Sequence, residues 1–483
     1  MKRSLPPESL KPLDAKLRER HRDFAQLYPG PGNARQPVHT VYAGAQLFHA
    51  DSAQRLGTYA LQVLDDYAPD FVTFAKAIGL DGVGELPDAP AEIERLEKYI
   101  DSDPDTFRKE SRVAWLALTI YRRVREKLGR EPVEDFRIDF EDGFGNRPDE
   151  EEDAHAISTA QDLAAGAKAG TLPPFIGIRI KPFNEELRAR SIRTLDLFVT
   201  ALAEAGVDAL PPHFHVTLPK VSLPEEVEAL VEILERLEVA LRPPAGWLRI
   251  ELMIETPQSI LNSRGESNLL ALVRSANGRC VGAHFGTYDY TAGRNITAAH
   301  QHMLHPSCDF AKEMMQVALA GTGVWLSDGA MNILPVPIHR AAKGGPQLTA
   351  AQASENRSAV HSAWRLHAHH IRHSLIGGFY QGWDLHPAQL PTRYAAVYAF
   401  FLGSLDSAAE RLRNFIEKAA QATLVGEVFD DAATGQGLLN YFLRAINCGA
   451  VTAGEAQDLT LLTLEDLRLG SFAKILESRT RVK

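Results

Sequence analysis

Cysteine is scarce in this chain: three residues in 483, Cys280, Cys308 and Cys448. They are odd in number, far apart and form no CxxC pair. That excludes a disulfide framework and fits a reducing cytoplasm. An excess of positive charge is also missing. Lys and Arg total 52 against 62 Asp and Glu, a net charge of −10. No basic face is therefore on offer to nucleic acid or to an anionic membrane. There is no run of ~18 apolar residues to span a bilayer. The opening segment, MKRSLPPESLKPLDAKLRERHRDF, lacks the apolar stretch of a secretory signal, so a cytoplasmic protein is expected. Phosphate-loop (GxxxxGKS/T) and nucleophile-elbow (GxSxG) patterns do not occur, and DGFGNR lacks GxGxxG spacing.

What is present is an ordinary globular composition, 45% hydrophobic and 24% charged, with ample material for a core. Eight short apolar or β-branched runs recur: PVHTVYAGA (37–45), FRIDFE (136–141), FIGIRI (175–180), FHVTLPKV (214–221), RIELMIE (249–255), VGAHFG (281–286), GVWLS (323–327) and GGFYQGWDL (377–385). Helix-period segments separate them, such as PEEVEALVEILERLEVAL after the fourth. Strand–helix alternation implies a parallel sheet, and eight units imply a closed (β/α)₈ TIM barrel of the α/β class. Residues 46–135 are too long for one crossover and read as a helical insertion. The expected organisation is an N-terminal arm (1–35), a barrel (36–395) and a C-terminal helical extension (396–483).

Chemistry in such a barrel sits at the C-terminal strand ends, and here strands two to eight all end in ionisable residues. They are Glu141 with Asp142, Arg179 with Lys181, Lys220, Glu255, Asp289, Asp328, and Asp384 with His386. Asp139 and Glu141 share one face; inside the barrel that face needs a cation or donors. Structural readings compete: an acid after a strand is often a helix N-cap, and lone lysines are usually solvated. Glu255 is harder to dismiss, because it ends the apolar run RIELMIE. With Asp289 on the next strand end it makes a two-carboxylate Mg²⁺ site, completed by water and substrate oxygens. Arg179 complements it as a bidentate grip on a substrate carboxylate. Metal plus arginine suits a short 2-oxo acid, with the ion polarising its carbonyl and stabilising an enolate. Five histidines in HSAWRLHAHHIRHSL (361–375) include His369 and His373 at i, i+4, but no HExxH glutamate accompanies them, which favours a helix-face role.

Six motifs in order resemble the superfamily of citrate lyase β-subunits, HpcH/HpaI aldolases and malyl-CoA lyases, within the wider phosphoenolpyruvate/pyruvate group. RIDFEDG resembles its LDLED motif and the DFED of malate synthases. GIRIKPF, VTLPKV, IETPQSI, FGTYDYTAG and GFYQGWDLHPAQL resemble later strands over residues 37–395, as in a divergent aldolase-like member. The resemblance implies a Mg²⁺-dependent carbon–carbon lyase or aldolase, with Mn²⁺ as an alternative ion. It makes Glu255 and Asp289 the metal ligands and Arg179 the carboxylate-binding arginine. Glu141 would support them, and Asp328 would serve as acid/base. Lys220, Gly286, Thr287, Asp384 and His386 would line the substrate site. A homo-oligomer, trimer or hexamer, is also implied. Two positions depart from the pattern: Ser222 replaces a glutamate and Asp384 a lysine. Coenzyme A stays open, since no basic adenine-pocket signature is visible. Two alternatives remain: malate-synthase-like acyl-CoA/glyoxylate condensation with Asp328 or Asp384 as base, and a non-catalytic metabolite-binding barrel.

Overall fold

In the stretch DFRIDF, apolar Phe136 and Ile138 alternate with charged Arg137 and Asp139. A strand turns successive side chains to opposite faces, so one face is oily and the other charged. The computed structural model describes residues 4–30, 32, 34–206, 210–244, 246–341, 345–417, 423–425, 428–430, 432–470 and 474–475. All eight expected runs form strands: β1 (His39–Gly44), β2 (Asp135–Asp139), β3 (Phe175–Arg179), β4 (Phe214–Leu218), β5 (Leu248–Ile254), β6 (Cys280–Phe285), β7 (Trp325–Ala330) and β8 (Gln381–Asp384). They pair in parallel, in sequence order, and β8 closes on β1, which makes a (β/α)₈ barrel. The apolar faces, including Ile138, Ile178, Val216 and Leu252, are buried beneath the surrounding helices. The polar faces point inward: Arg137 on β2 reaches Thr217 on β4 and Glu251 on β5.

An arm helix, α1 (Pro7–Leu27), precedes the barrel. The insertion between β1 and β2 holds α2 (Ser52–Tyr67), α3 (Phe71–Ile78), α4 (Pro90–Ser102), α5 (Pro104–Glu110) and α6 (Arg112–Arg130). Then α7 (Asp149–Ala169), α8 (Arg188–Glu204) and α9 (Pro224–Leu241) follow β2, β3 and β4. Short α10 (Pro257–Ile260) and α11 (Leu269–Ser275) follow β5, and α12 (Thr287–Gly293) and α13 (Pro306–Leu319) follow β6. The remaining helices are α14 (Ala350–Ile376), α15 (Leu390–Glu417), α16 (Ala432–Asn447), α17 (Ala453–Thr460) and α18 (Leu464–Arg468).

Helix α9 shows how local sequence sets the outer layer. Pro224 occupies its first turn, Glu225 and Glu226 face the positive end of the helix dipole, and Val227, Leu230, Val231, Leu234 and Leu237 are buried. Each such side chain contributes roughly 1.5–3 kcal/mol when fully covered. Helix α15 packs on α14 and α6, so it belongs to the ring around the barrel. The expected boundary at 395/396 therefore falls inside a barrel helix. Among the described residues no helix is long and apolar enough to cross a membrane.

Candidate active site

The acidic cluster at the end of β2 has a specific cation. Asp139 faces the barrel interior and accepts Arg179 Nε at 2.7 Å and Nη2 at 2.5 Å. It also accepts the backbone N–H groups of Glu141 (3.0 Å) and Gly143 (2.7 Å), which fixes the turn after the strand. Gly143 comes so close that a Cβ there would lie 2.6 Å from Asp139 Oδ2. Burial alone would raise the Asp139 carboxyl, but Arg179 and the two backbone donors hold it below its ordinary value. Glu141 takes the remaining edge of the cation, with Oε2 3.0 Å from Arg179 Nη1, and pairs through Oε1 with Lys220. Its carboxyl is raised by burial in spite of both cations.

Glu255 stands just past the end of β5, abreast of Gly286, where a Cβ would lie 2.4 Å from Glu255 Oε2. That close approach explains why a glycine follows β6. The backbone N–H of Lys220 donates to Glu255 Oε1 at 2.7 Å. Lys220 does so with φ of +52°, a strained conformation for a lysine, held by the site around it. Its ammonium reaches Glu141, Asp142 (3.5 Å) and Asp289 (3.7 Å). Burial, then the neighbouring Asp289, pushes the Glu255 carboxyl up to about 8. Asp289, in the first turn of α12, is partly exposed. Thr287 is buried, and its hydroxyl has no partner among the described residues.

Four expectations need correction. Arg179 is not free to grip a substrate carboxylate in bidentate fashion, because its Nε–Nη2 edge belongs to Asp139 and Nη1 faces Glu141. Asp328 does not face the mouth. It is wholly buried toward the helices, with Lys312 Nζ at 3.1 Å and Ser374 Oγ at 2.6 Å. Asp384 is likewise turned outward, against Arg393 (2.9–3.2 Å), His39 (3.0 Å) and His367 (3.1 Å). Burial would raise the Asp384 carboxyl, yet Arg393 and the two histidines hold it well below the ordinary range. His386 caps a short turn instead, accepting Ala388 N–H at 3.2 Å. The histidines of α14 go to different neighbours: His373 to Asp309, His361 to the Tyr67 carbonyl and His367 to Asp384.

Sequence reasoning missed a column of polar side chains down the barrel axis. Tyr42 donates to Glu251 Oε1 at 3.1 Å, and Thr217 to the same oxygen at 2.9 Å. Arg137 bridges Glu251, Asp135 and His215 Nδ1. Burial would raise Glu251, but Arg137 and its neighbours bring it down to about 2, so it is ionised and only accepts. The Tyr42 oxygen must then accept from His284 Nδ1–H, 3.2 Å away. That leaves His284 Nε2 as a bare lone pair, buried and without a partner among the described residues. Burial lowers the His284 ring to about 4, so it is neutral. The signal was available in the alternation of charged and apolar residues within DFRIDF and RIELMIE.

Magnesium, the ion implied by the resemblance, fits the donors at the mouth. Glu255 and Asp289 are hard oxygen ligands, and among the described residues buried Glu255 has a single hydrogen bond, from the Lys220 backbone N–H. Among the described residues no three His, Cys, Asp or Glu side chains form a ready metal cluster. Two carboxylates are the usual protein share for Mg²⁺, with water and substrate supplying the rest.

Ionisable side chains gathered over the C-terminal ends of a closed parallel barrel define a (β/α)₈ protein of the kind whose chemistry lies on that rim. Residues 17–475 match the model of the family described as Domain of unknown function (DUF6986), and the chain belongs to it. No curated protein matches. Among solved structures, a citrate lyase from Burkholderia xenovorans LB400 aligns at TM-score 0.49 and 18% identity, over 70% of this chain and 92% of that one. A malate synthase of Haloferax volcanii aligns at TM-score 0.40 and 14% identity, over 68% and 88%. The magnesium/glyoxylate complex of that enzyme gives 0.39 and 12%, over 64% and 88%. Likeness at this level leaves the chemistry to the site's own residues.

Proposed function

We propose that this protein is a Mg²⁺-dependent carbon–carbon lyase or aldolase acting on a short 2-oxo acid or its hydroxy-acid adduct. The observation that supports it is the pair Glu255 and Asp289, both within reach of Lys220 at the barrel mouth. These two carboxylates would hold the ion. When bound, it supplies Lewis acidity to a keto oxygen.

The remaining work falls to the chain. Lys220, the most accessible cation here, neutralises the substrate carboxylate. Glu141, raised by burial, exchanges the proton that leaves and rejoins the substrate as the bond breaks. Arg179 keeps Asp139 and Glu141 in place, so the mouth stays pre-organised. The acyl-CoA condensation is disfavoured because neither of its candidate bases, Asp328 and Asp384, faces this mouth.

Thermal unfolding with pyruvate, glyoxylate, oxaloacetate and oxalate, with and without Mg²⁺, tests the reading. A ligand at ~100 times its dissociation constant adds about 2.7 kcal/mol to the native state. The expected result is a rise for oxalate or an oxo acid only when Mg²⁺ is present, and none in Glu255→Ala. No Mg²⁺-dependent rise for any of the four contradicts it and favours a metabolite-binding barrel.

A further inference from the structure

At the opposite end of the barrel lies a cavity of about 220 Å³. It sits below the starts of β7, β8 and β1 and is bounded by α15 and α16. Its walls are more apolar than polar: Leu326, Val397, Phe401 and Leu443 stand beside Gln316, Asn440 and Asn447. Arg444 of α16 is the one charged side chain among the described lining residues. Its guanidinium lies 3.7 Å over the ring of Tyr380 and donates from Nη1 to Gln36 Oε1 at 3.2 Å. Gln36 gives its amide hydrogens to Leu326 O (3.1 Å) and Gln381 Oε1 (3.3 Å), so its oxygen is aimed at the arginine. Among the described residues no carboxylate lies within 4.0 Å of this cation. Burial lowers its basicity, and the neighbouring Cys448 thiol, pushed up to about 12 by burial, carries no charge at neutral pH.

Arg444 is part-buried, and a cation in such a setting without a counter-ion attracts an anion. The Tyr380 ring and the Gln36 amide oxygen are the contacts on its guanidinium among the described residues, which leaves its other N–H groups open to an anion. At about 220 Å³ the cavity is below the ~300–1,000 Å³ of pockets for drug-sized ligands. One guanidinium matches one negative charge, and apolar walls match a hydrocarbon body.

We propose that this cavity is a binding site for a small amphipathic monocarboxylate, held by Arg444 and separate from the mouth. It is formed where the C-terminal helix α16 closes over the barrel base. The proposal does not depend on the chemistry at the mouth.

The test titrates hexanoate, hexanamide and inorganic phosphate into the full chain by calorimetry, in wild type and in Glu255→Ala. Hexanoate is expected to bind both proteins equally. Hexanamide should bind at least about tenfold more weakly, as should hexanoate to Arg444→Gln, for loss of one charge-assisted contact. Phosphate should not compete. No hexanoate binding at millimolar concentration overturns the proposal. Equal affinity for acid and amide does so too, and that comparison on wild type stands even if Arg444→Gln fails to fold. Loss of hexanoate binding in Glu255→Ala would move it to the mouth, and phosphate binding as tight as hexanoate would rule out a carboxylate site. Failure of the Mg²⁺–oxalate experiment leaves each of these readouts unchanged.

Discussion

Replacing Glu255 by Gln isolates the ionisation on which the carboxylate pair depends. In the metal-free protein this carboxyl is raised from 4.5 to about 8, by burial and then by Asp289. Between those values the native state keeps a proton that the unfolded chain has released. Stability therefore falls as pH rises through this window and levels off above it. At about 1.36 kcal/mol per pH unit the full loss is ~5 kcal/mol, a large part of the ~5–15 kcal/mol that holds a typical protein folded. Gln cannot titrate, so Glu255→Gln should lose this slope. Urea unfolding in chelator, from about pH 5 to pH 9, measures both proteins. Adding Mg²⁺ should restore wild-type stability at the alkaline end and leave the variant unchanged. Equal slopes in the two proteins, or equal Mg²⁺ effects, would refute the reasoning.

Further outcomes follow from the same geometry. Asp384→Asn leaves Arg393 buried against a neutral partner and should lower stability by ~3–5 kcal/mol, while activity per folded molecule is retained; an unaltered urea midpoint contradicts this. Arg179→Lys should also act mainly on stability, since a lysine cannot serve Asp139 and Glu141 together; a weakened oxo-acid affinity at unchanged stability would return Arg179 to substrate binding. At acid pH the buried neutral His284 destabilises. Its ring is lowered by burial from 6.5 to about 4, so stability is present above 6.5 and lost as pH falls toward 4, by ~3 kcal/mol. His284→Gln should flatten that limb, and an identical acid limb in both proteins would count against the neutral ring.

The strands were legible because each run joins β-branched residues to a flanking helix period, and α9 was legible to its ends because Pro224 and the acids of its first turn mark its start. Which way each strand-end residue points was harder to read, since side chains alternate and a one-residue change of parity turns a rim group into a buried one. Asp139 fell on the inner face and met Arg179, as its spacing from Glu141 required. Asp328 fell on the outer face because Trp325 and Ser327 turn into the barrel interior, and alternation sends Asp328 the other way, to Lys312 and Ser374. Asp384 was hidden by the same parity, and its true partners, His39, His367 and Arg393, are distant in sequence. The axial column from Asp135 to His284 was overlooked because barrel interiors are usually filled by branched apolar side chains. A barrel base closed by α16 could not be inferred from a helical pattern alone, because that pattern does not say which face of the barrel a helix covers.

Glu255 and Asp289 are expected to bind a divalent ion together. Mn²⁺, which takes the same oxygen ligands, can be counted directly by the loss of its free signal in electron paramagnetic resonance. One bound ion per chain in wild type, with binding abolished or greatly weakened in both Glu255→Gln and Asp289→Asn, is the predicted result. Binding of undiminished affinity in either folded variant, or no binding in wild type, would contradict it.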